Sequence, residues 1–113
     1  MRNSITYRDK GEYDLAISDF TKVIEMKADD AEAYRSRGIA YRDKGEYDLA
    51  LRDFAKAIEL KPDYAPAYCD RGNAYCNKGQ PDLAIQDYTK VLALEPNHVH
   101  AYCKRASAQS RIP

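Results

Sequence analysis

The sequence lacks the features that usually mark a membrane or nucleic-acid-binding protein. Lysine plus arginine and aspartate plus glutamate number 18 each, so the formal net charge is zero. General binding to nucleic acid or to a membrane surface relies on an excess of positive charge, and neither partner is predicted. No apolar run approaches the ~20 residues that span a bilayer, and no secretory signal pattern is present. These absences favour the cytosol.

The chain also has little cysteine, and what it has does not predict a disulfide or a metal site. Cys69, Cys76 and Cys103 are odd in number, which indicates free thiols in a reducing compartment. On one helix, residues seven apart are separated by about 10.5 Å along the axis, whereas sulfurs around one zinc ion lie about 3.7 Å apart. Cys69 and Cys76 therefore cannot share an ion, and neither a metal nor a cofactor is predicted.

No set of residues predicts an enzyme. His98 and His100 flank an expected helix start, but no serine, cysteine or carboxylate stands at a spacing that would assemble a triad or an acid/base pair. The five glycines occur singly, so no glycine-rich phosphate loop is present. We expect a protein without catalytic activity.

The most informative feature of the chain is a repeat. Ten residues from Tyr7 to Ala16 recur without change from Tyr41 to Ala50, which is 34 residues later. A third, looser copy runs from Tyr75 to Ala84. Stacked structural units require such a repeat because each unit must present the same contacts to the next one.

The spacing within one repeat predicts two helices. Tyr34, Gly38 and Tyr41 follow at i, i+4 and i+7, which places them on one helix face. Gly45 then stands where a helix can end in a left-handed residue, and Pro62 cannot continue the second helix. A second helical stripe lies between these two residues: Ala50, Phe54, Ala57 and Ile58. Each repeat is therefore predicted to be a helix, a tight turn and a second, antiparallel helix.

A helix–turn–helix repeat of this length resembles the tetratricopeptide repeat family. The aromatic, small and proline columns recur one repeat later: Tyr68, Gly72, Tyr75, Ala84, Tyr88, Val91 and Pro96. The resemblance implies an all-α fold, a right-handed superhelical solenoid of antiparallel helix pairs with about seven helices. We expect a single solenoid with a partial repeat at 1–30, full repeats at 31–64 and 65–98, and a C-terminal capping helix at 99–113.

The resemblance also implies where a ligand would lie. In this family the first helix of each unit lines the concave face, where ligands bind. The candidate groove residues are those off the tyrosine–glycine–tyrosine stripe: Ile5, Arg8, Asp9, Arg35, Ile39, Arg42, Asp43, Cys69, Asn73, Cys76, Asn77, His100 and Cys103. These columns differ between the copies, which suits a specialised site; a solvated surface without a partner is the alternative interpretation.

The groove chemistry predicts a peptide ligand. Arginines in the N-terminal half could hold carboxylates or phosphorylated side chains. The C-terminal half is predicted to be neutral, with Asn73 placed to bond a peptide backbone. The predicted function is a non-catalytic protein–protein interaction module that binds a peptide segment of an unidentified partner. One branch of the family grips chaperone C-termini through lysines and asparagines, but only Asn73 matches that set, so this activity is not carried over.

A repeated arginine and a repeated aspartate predict ion pairs, in one of two patterns. The residues are Arg37, Arg71 and Arg105 with Asp19, Asp53 and Asp87. Pairing within a unit joins Arg37 to Asp53, whereas pairing across units joins Asp53 to Arg71. The second pattern leaves no aspartate unpaired and is preferred on that ground. In either pattern the pairs would fix register more than they add stability.

An alternative function is self-assembly. A solenoid whose terminal helices expose a flank can stack end to end or exchange its last helix, which would make a homo-oligomer. This alternative predicts a scaffold or oligomerisation role instead of a peptide site.

Overall fold

The fold is an all-α solenoid, as predicted. A computed structural model describes the backbone of residues 2–112 and the side chains of residues 11–112. Over that backbone it contains six helices: α1 (Arg2–Met26), α2 (Ala31–Asp43), α3 (Tyr47–Leu60), α4 (Ala65–Asn77), α5 (Pro81–Leu94) and α6 (Val99–Gln109). Each helix packs mainly on the helix before and the helix after it. No helix between residues 2 and 112 is both long enough and apolar enough to cross a bilayer.

The turns between paired helices use glycine as the sequence predicts. Gly45 and Gly79 have φ angles of +90° and +81°, in the left-handed region that side chains disfavour. The N–H of Glu46 donates to the carbonyl of Tyr41 at 2.8 Å, which closes the end of α2. At the other end of α2, Asp30 accepts a hydrogen bond from the N–H of Ala33 at 3.1 Å. Local sequence therefore sets both ends of this helix.

The core between paired helices is built on a glycine opposite an aromatic ring. A Cβ atom placed on Gly38 would lie 2.7 Å from Cε1 of Phe54, and one on Gly72 would lie 2.7 Å from Cε1 of Tyr88. Both rings are fully buried. Close approach of the two backbones is therefore part of the packing, and the small-residue column positions α2 on α3 and α4 on α5.

The repeated ion pairs form within units, so the preferred pattern across units was wrong. Arg37 donates to both carboxylate oxygens of Asp53 at 2.8 Å. Arg71 makes the same bidentate contact with Asp87, at 2.9 and 2.7 Å. The physical reason is that Gly38 contacts Phe54, which brings the residues next to them, Arg37 and Asp53, together in the same helix pair.

The first unit also differs from the prediction. The backbone of α1 continues as a helix through Gly11, where the repeat predicts a turn, so two expected helices are one. In the next unit, Tyr34 and Gly38 of α2 pack against α3 and so hold the two helices together. In the first unit Ser4 stands in the column of Gly38, so the close packing of a glycine on an aromatic ring is not available there to offset the cost of the turn. A continuous helix instead keeps every backbone hydrogen bond.

Candidate functional site

Polar side chains on α2 and α4 meet around one buried carboxylate. Nε of Arg35 lies 2.6 Å from Oδ2 of Asp70, and Nη1 of Arg42 lies 3.7 Å from Oδ1 of the same residue. Arg42 also lies 3.4 Å from the exposed Asp43. Asp70 is only 9 % exposed. The two candidate arginines of α2 are therefore brought together, and acidic groups of the protein already balance much of their charge.

Asp70 further stabilises the charged form of Arg35 in this partly buried position. Burial alone would lower the pKa of Arg35, but the hydrogen bond and charge of Asp70 outweigh burial and raise it. The sequence analysis did not single out Asp70. The sequence does contain a signal for it: Asp70 occupies the position that Ser36 has in the previous unit, next to the variable position of Cys69.

A second polar group lies between α4 and α6. A cavity of about 170 Å³ opens there, lined by Asn73, Cys76, Asn77, Tyr88, Lys104, Ser107, Ala108 and Arg111. Lys104 and Arg111 make this half cationic, whereas the sequence analysis described it as neutral. Neither cation is among the candidate groove residues, because the sequence predicts a capping helix at 99–113, although Lys104 follows the candidate Cys103 directly. Among the residues that line the cavity none is acidic.

Tyr88 holds the side chain of Asn73 in place. The hydroxyl of Tyr88 donates to Oδ1 of Asn73 at 2.6 Å. Burial raises the pKa of Tyr88, so this hydroxyl stays protonated and keeps donating. Because Tyr88 bonds the oxygen of Asn73, the amide N–H groups of Asn73 are the donors that it can offer to a ligand. Such donors suit a carbonyl or a carboxylate.

The three cysteines occupy different environments. Cys69 is half-buried beside Asp70, and burial raises the pKa of its thiol above the usual value. Sγ of Cys76 lies 3.9 Å from the hydroxyl of Tyr88, at the edge of the cavity. Cys103 is exposed on α6.

The remaining candidate residues divide between core, surface and the part of the chain without described side chains. Ile39 packs against the buried cluster that contains Phe54 and Ala74, so it contributes to the core. Asn77 and His100 are exposed. The side chains of Ile5, Arg8 and Asp9 lie outside the described residues.

Comparison with known proteins identifies the repeat. Two matches to a TPR repeat model cover residues 6–42 and 40–79, and a tetratricopeptide repeat model covers residues 65–98. The chain belongs to the tetratricopeptide repeat (TPR) family. A search of curated protein sequences finds no significant match.

Solved TPR structures resemble the whole chain. The first TPR of Spaghetti (RPAP3) bound to the HSP90 peptide SRMEEVD is 28% identical, with a TM-score of 0.85; the match covers 96% of this chain and 86% of that one. The second TPR domain of human RPAP3, in complex with the HSP70 peptide SGPTIEEVD, is 29% identical, with a TM-score of 0.83 and coverages of 96% and 90%. MamA protein is 32% identical, with a TM-score of 0.84, but 94% of this chain spans only 58% of that one.

Proposed function

We propose that this TPR chain binds a peptide segment of a partner protein along α2, α4 and α6, with an acidic part of the peptide in the cavity between α4 and α6. The observation that carries the proposal is the lining of that cavity. It combines the cations Lys104 and Arg111 with the amides of Asn73 and Asn77, and it includes no carboxylate. A carboxylate entering it would find donors from both helices.

The other half of the groove suits a less charged part of the peptide. Asp70 is shared between Arg35 and Arg42, so a ligand carboxylate there would compete with a carboxylate already in place. The sequence alone favours the arginines of α2 for the acidic part. Because Asp70 already pairs with those arginines, its contacts favour the cavity between α4 and α6 for the acidic part of the peptide and α2 for the less charged part.

The similar structures support a peptide as the ligand class. Two of the TPR domains that match nearly the whole chain hold peptides with acidic C-terminal sequences. Each is less than one third identical to this chain, so the support extends to a peptide ligand and its acidic character. The partner protein itself is a separate question.

Calorimetric titration with a short acidic peptide tests the proposal. The HSP90 peptide SRMEEVD is a suitable probe, and the same peptide with an amidated C-terminus removes one carboxylate. We expect the substitutions Lys104→Ala and Arg111→Ala each to weaken binding about tenfold, because a hydrogen bond to a charged group contributes about 1.5–3 kcal/mol. Amidation should weaken it similarly if the terminal carboxylate enters the cavity.

A matched control removes a lysine elsewhere. Lys56 lies on α3, is paired with Glu59 at 3.1 Å and does not line the cavity. Lys56→Ala should leave the affinity unchanged. Equal losses for Lys56→Ala and Lys104→Ala would indicate unspecific attraction, and unchanged binding in Lys104→Ala and Arg111→Ala would refute the site.

Self-association is a second candidate function, and exposed apolar side chains at both ends of the solenoid favour it. Leu15 in α1 is 67% exposed and Tyr102 in α6 is 48% exposed. The corresponding residues of the inner units, such as Leu49 and Tyr68, are only partly exposed. Burial of such side chains between copies would favour a homo-oligomer.

A further inference from the structure

One position of the repeat carries opposite charges in two neighbouring units. Asp70 of α4 and Lys104 of α6 occupy the same column, 34 residues apart. Asp70 faces α2, where Arg35 and Arg42 lie 2.6 and 3.7 Å from its two carboxylate oxygens. Lys104 lines the cavity between α4 and α6 together with Cys76, which is the counterpart of Arg42. The place beside α2 therefore contains its own carboxylate, whereas the corresponding place beside α4 contains a cation.

The charges beside α2 cancel. Arg35 and Arg42 carry two positive charges there. Asp70 and Asp43, which pair with them, carry two negative charges. The side chain of Asp70 is only 13% exposed, so water and salt screen its charge weakly. A ligand carboxylate that approaches these arginines meets a carboxylate already bound to them, and it gains little net attraction.

We infer that Asp70 determines the charge pattern of the peptide that this chain accepts. The cavity between α4 and α6 takes the acidic part, and Asp70 disfavours a further acidic residue beside α2. The accepted segment therefore carries an uncharged or basic residue where it lies beside α2. This inference rests on the proposed peptide-binding function.

The spacing of the helices sets where this discrimination falls in the peptide. Helices α2 and α4 contact each other, and the axes of contacting helices lie about 8–10 Å apart. An extended chain advances about 3.3 Å per residue, so the two places are about three residues apart along a bound peptide. We expect the charge preference at about the third residue from the acidic part.

The repeat also shows that the column of Asp70 accepts other residues. Ser36 occupies it in the second unit and Lys104 occupies it in α6. Neutral and basic side chains therefore stack in this column as well as an acidic one. In Asp70→Asn the amide oxygen can still accept the hydrogen bond from Nε of Arg35, so the substitution removes the charge and keeps the shape.

Calorimetric titration of Asp70→Asn with a set of peptides tests the inference. Each peptide keeps the acidic end EEVD of the HSP90 peptide SRMEEVD, and one glutamate or one lysine moves through the positions before it in a serine background. At about the third position, we expect the unaltered chain to bind the lysine peptide more tightly than the glutamate peptide. Asp70→Asn should bind the glutamate peptide about tenfold more tightly at that position alone, because Arg35 then gains a charged partner.

Three further variants identify the groups involved. Asp82→Asn removes one negative charge from an exposed position in the first turn of α5, so it should leave every affinity within about twofold. Arg35→Gln combined with Asp70→Asn should abolish the gain, because the released guanidinium is absent. Asp70→Ser introduces the residue that the second unit has in this column, and it should act like Asp70→Asn. Circular dichroism melting checks that all variants fold.

The outcomes separate this inference from the function on which it rests. Absence of binding between the unaltered chain and every peptide of the set would overturn both. An equal gain at all peptide positions in Asp70→Asn would show a general charge effect and overturn this inference alone. Equal affinities of the unaltered chain for the lysine and glutamate peptides at every position would do the same. A gain that survives the removal of Arg35 would also contradict it.

Discussion

Gly11 and Gly45 occupy the same position in two identical ten-residue segments, yet they have different conformations. Gly45 ends α2 with a φ angle of +90°, whereas Gly11 lies inside the continuous helix α1. Neither would bring an added Cβ within 4 Å of another group, so crowding is not the difference. Packing against neighbouring helices therefore decides whether this segment turns.

The first prediction compares alanine at these two glycines. Gly11→Ala should stabilise the chain by up to about 1 kcal/mol, because glycine inside a helix is less favourable than alanine by that amount. Gly45→Ala should destabilise it by about 1–2 kcal/mol, the cost of a side chain in the left-handed region. Urea denaturation of the two variants measures both free energies of unfolding. An equal loss in the two would show that Gly11 also forms a turn in solution.

The second prediction concerns the buried ion pair of the second unit. Asp53→Ala leaves Arg37 partly buried without its carboxylate and should cost about 3–5 kcal/mol. Replacing both residues, with Arg37→Met and Asp53→Leu, should recover most of that loss because no charge stays unpaired. Urea denaturation of the single and double variants measures both changes in the free energy of unfolding.

Asp19→Ala is the matched control for the ion pair. Asp19 lies in the same column but is exposed, so its removal should change stability by no more than about 0.5 kcal/mol. Similar losses for Asp19→Ala and Asp53→Ala would mean that the pair with Arg37 contributes nothing specific.

The third prediction ranks thiol reactivity. Cys103 is exposed and should be alkylated first by iodoacetamide at neutral pH, while Cys69 should react more slowly. Burial limits access to Cys69 and raises the pKa of its thiol, so less of the reactive thiolate is present. Mass spectrometry of peptides after timed alkylation gives the rates, and the same reaction in urea removes the effect of burial. Equal rates in the folded chain would contradict this environment.

Sequence periodicity predicts the helix pairs well because local signals and packing agree there. The column that contains Gly38 and Phe54 gives the helix faces, and Gly45 gives the turn. The same signals fail in the first unit. The segment around Gly11 carries an identical turn signal, but Ser4 stands where the second and third units have the glycine that packs on an aromatic ring.

The site was predicted less well because its charges depend on contacts between units. The position of Arg35 on the groove side of α2 follows from helix spacing, but its pairing with Asp70 depends on how α4 stacks. Lys104 in α6 and Arg111, just after α6, likewise line the cavity because α6 packs on α5. Differences between the repeats show which positions can carry site residues. They do not show which residue of the neighbouring unit each one contacts.

Because each helix packs mainly on its two neighbours, residues 2–112 share no single hydrophobic core, and local unfolding of one helix need not unfold the others. Opening can begin at either end and progress inward, one helix at a time. Amide protons of α3 and α4 should then exchange with solvent most slowly, and those of α1 and α6 most rapidly.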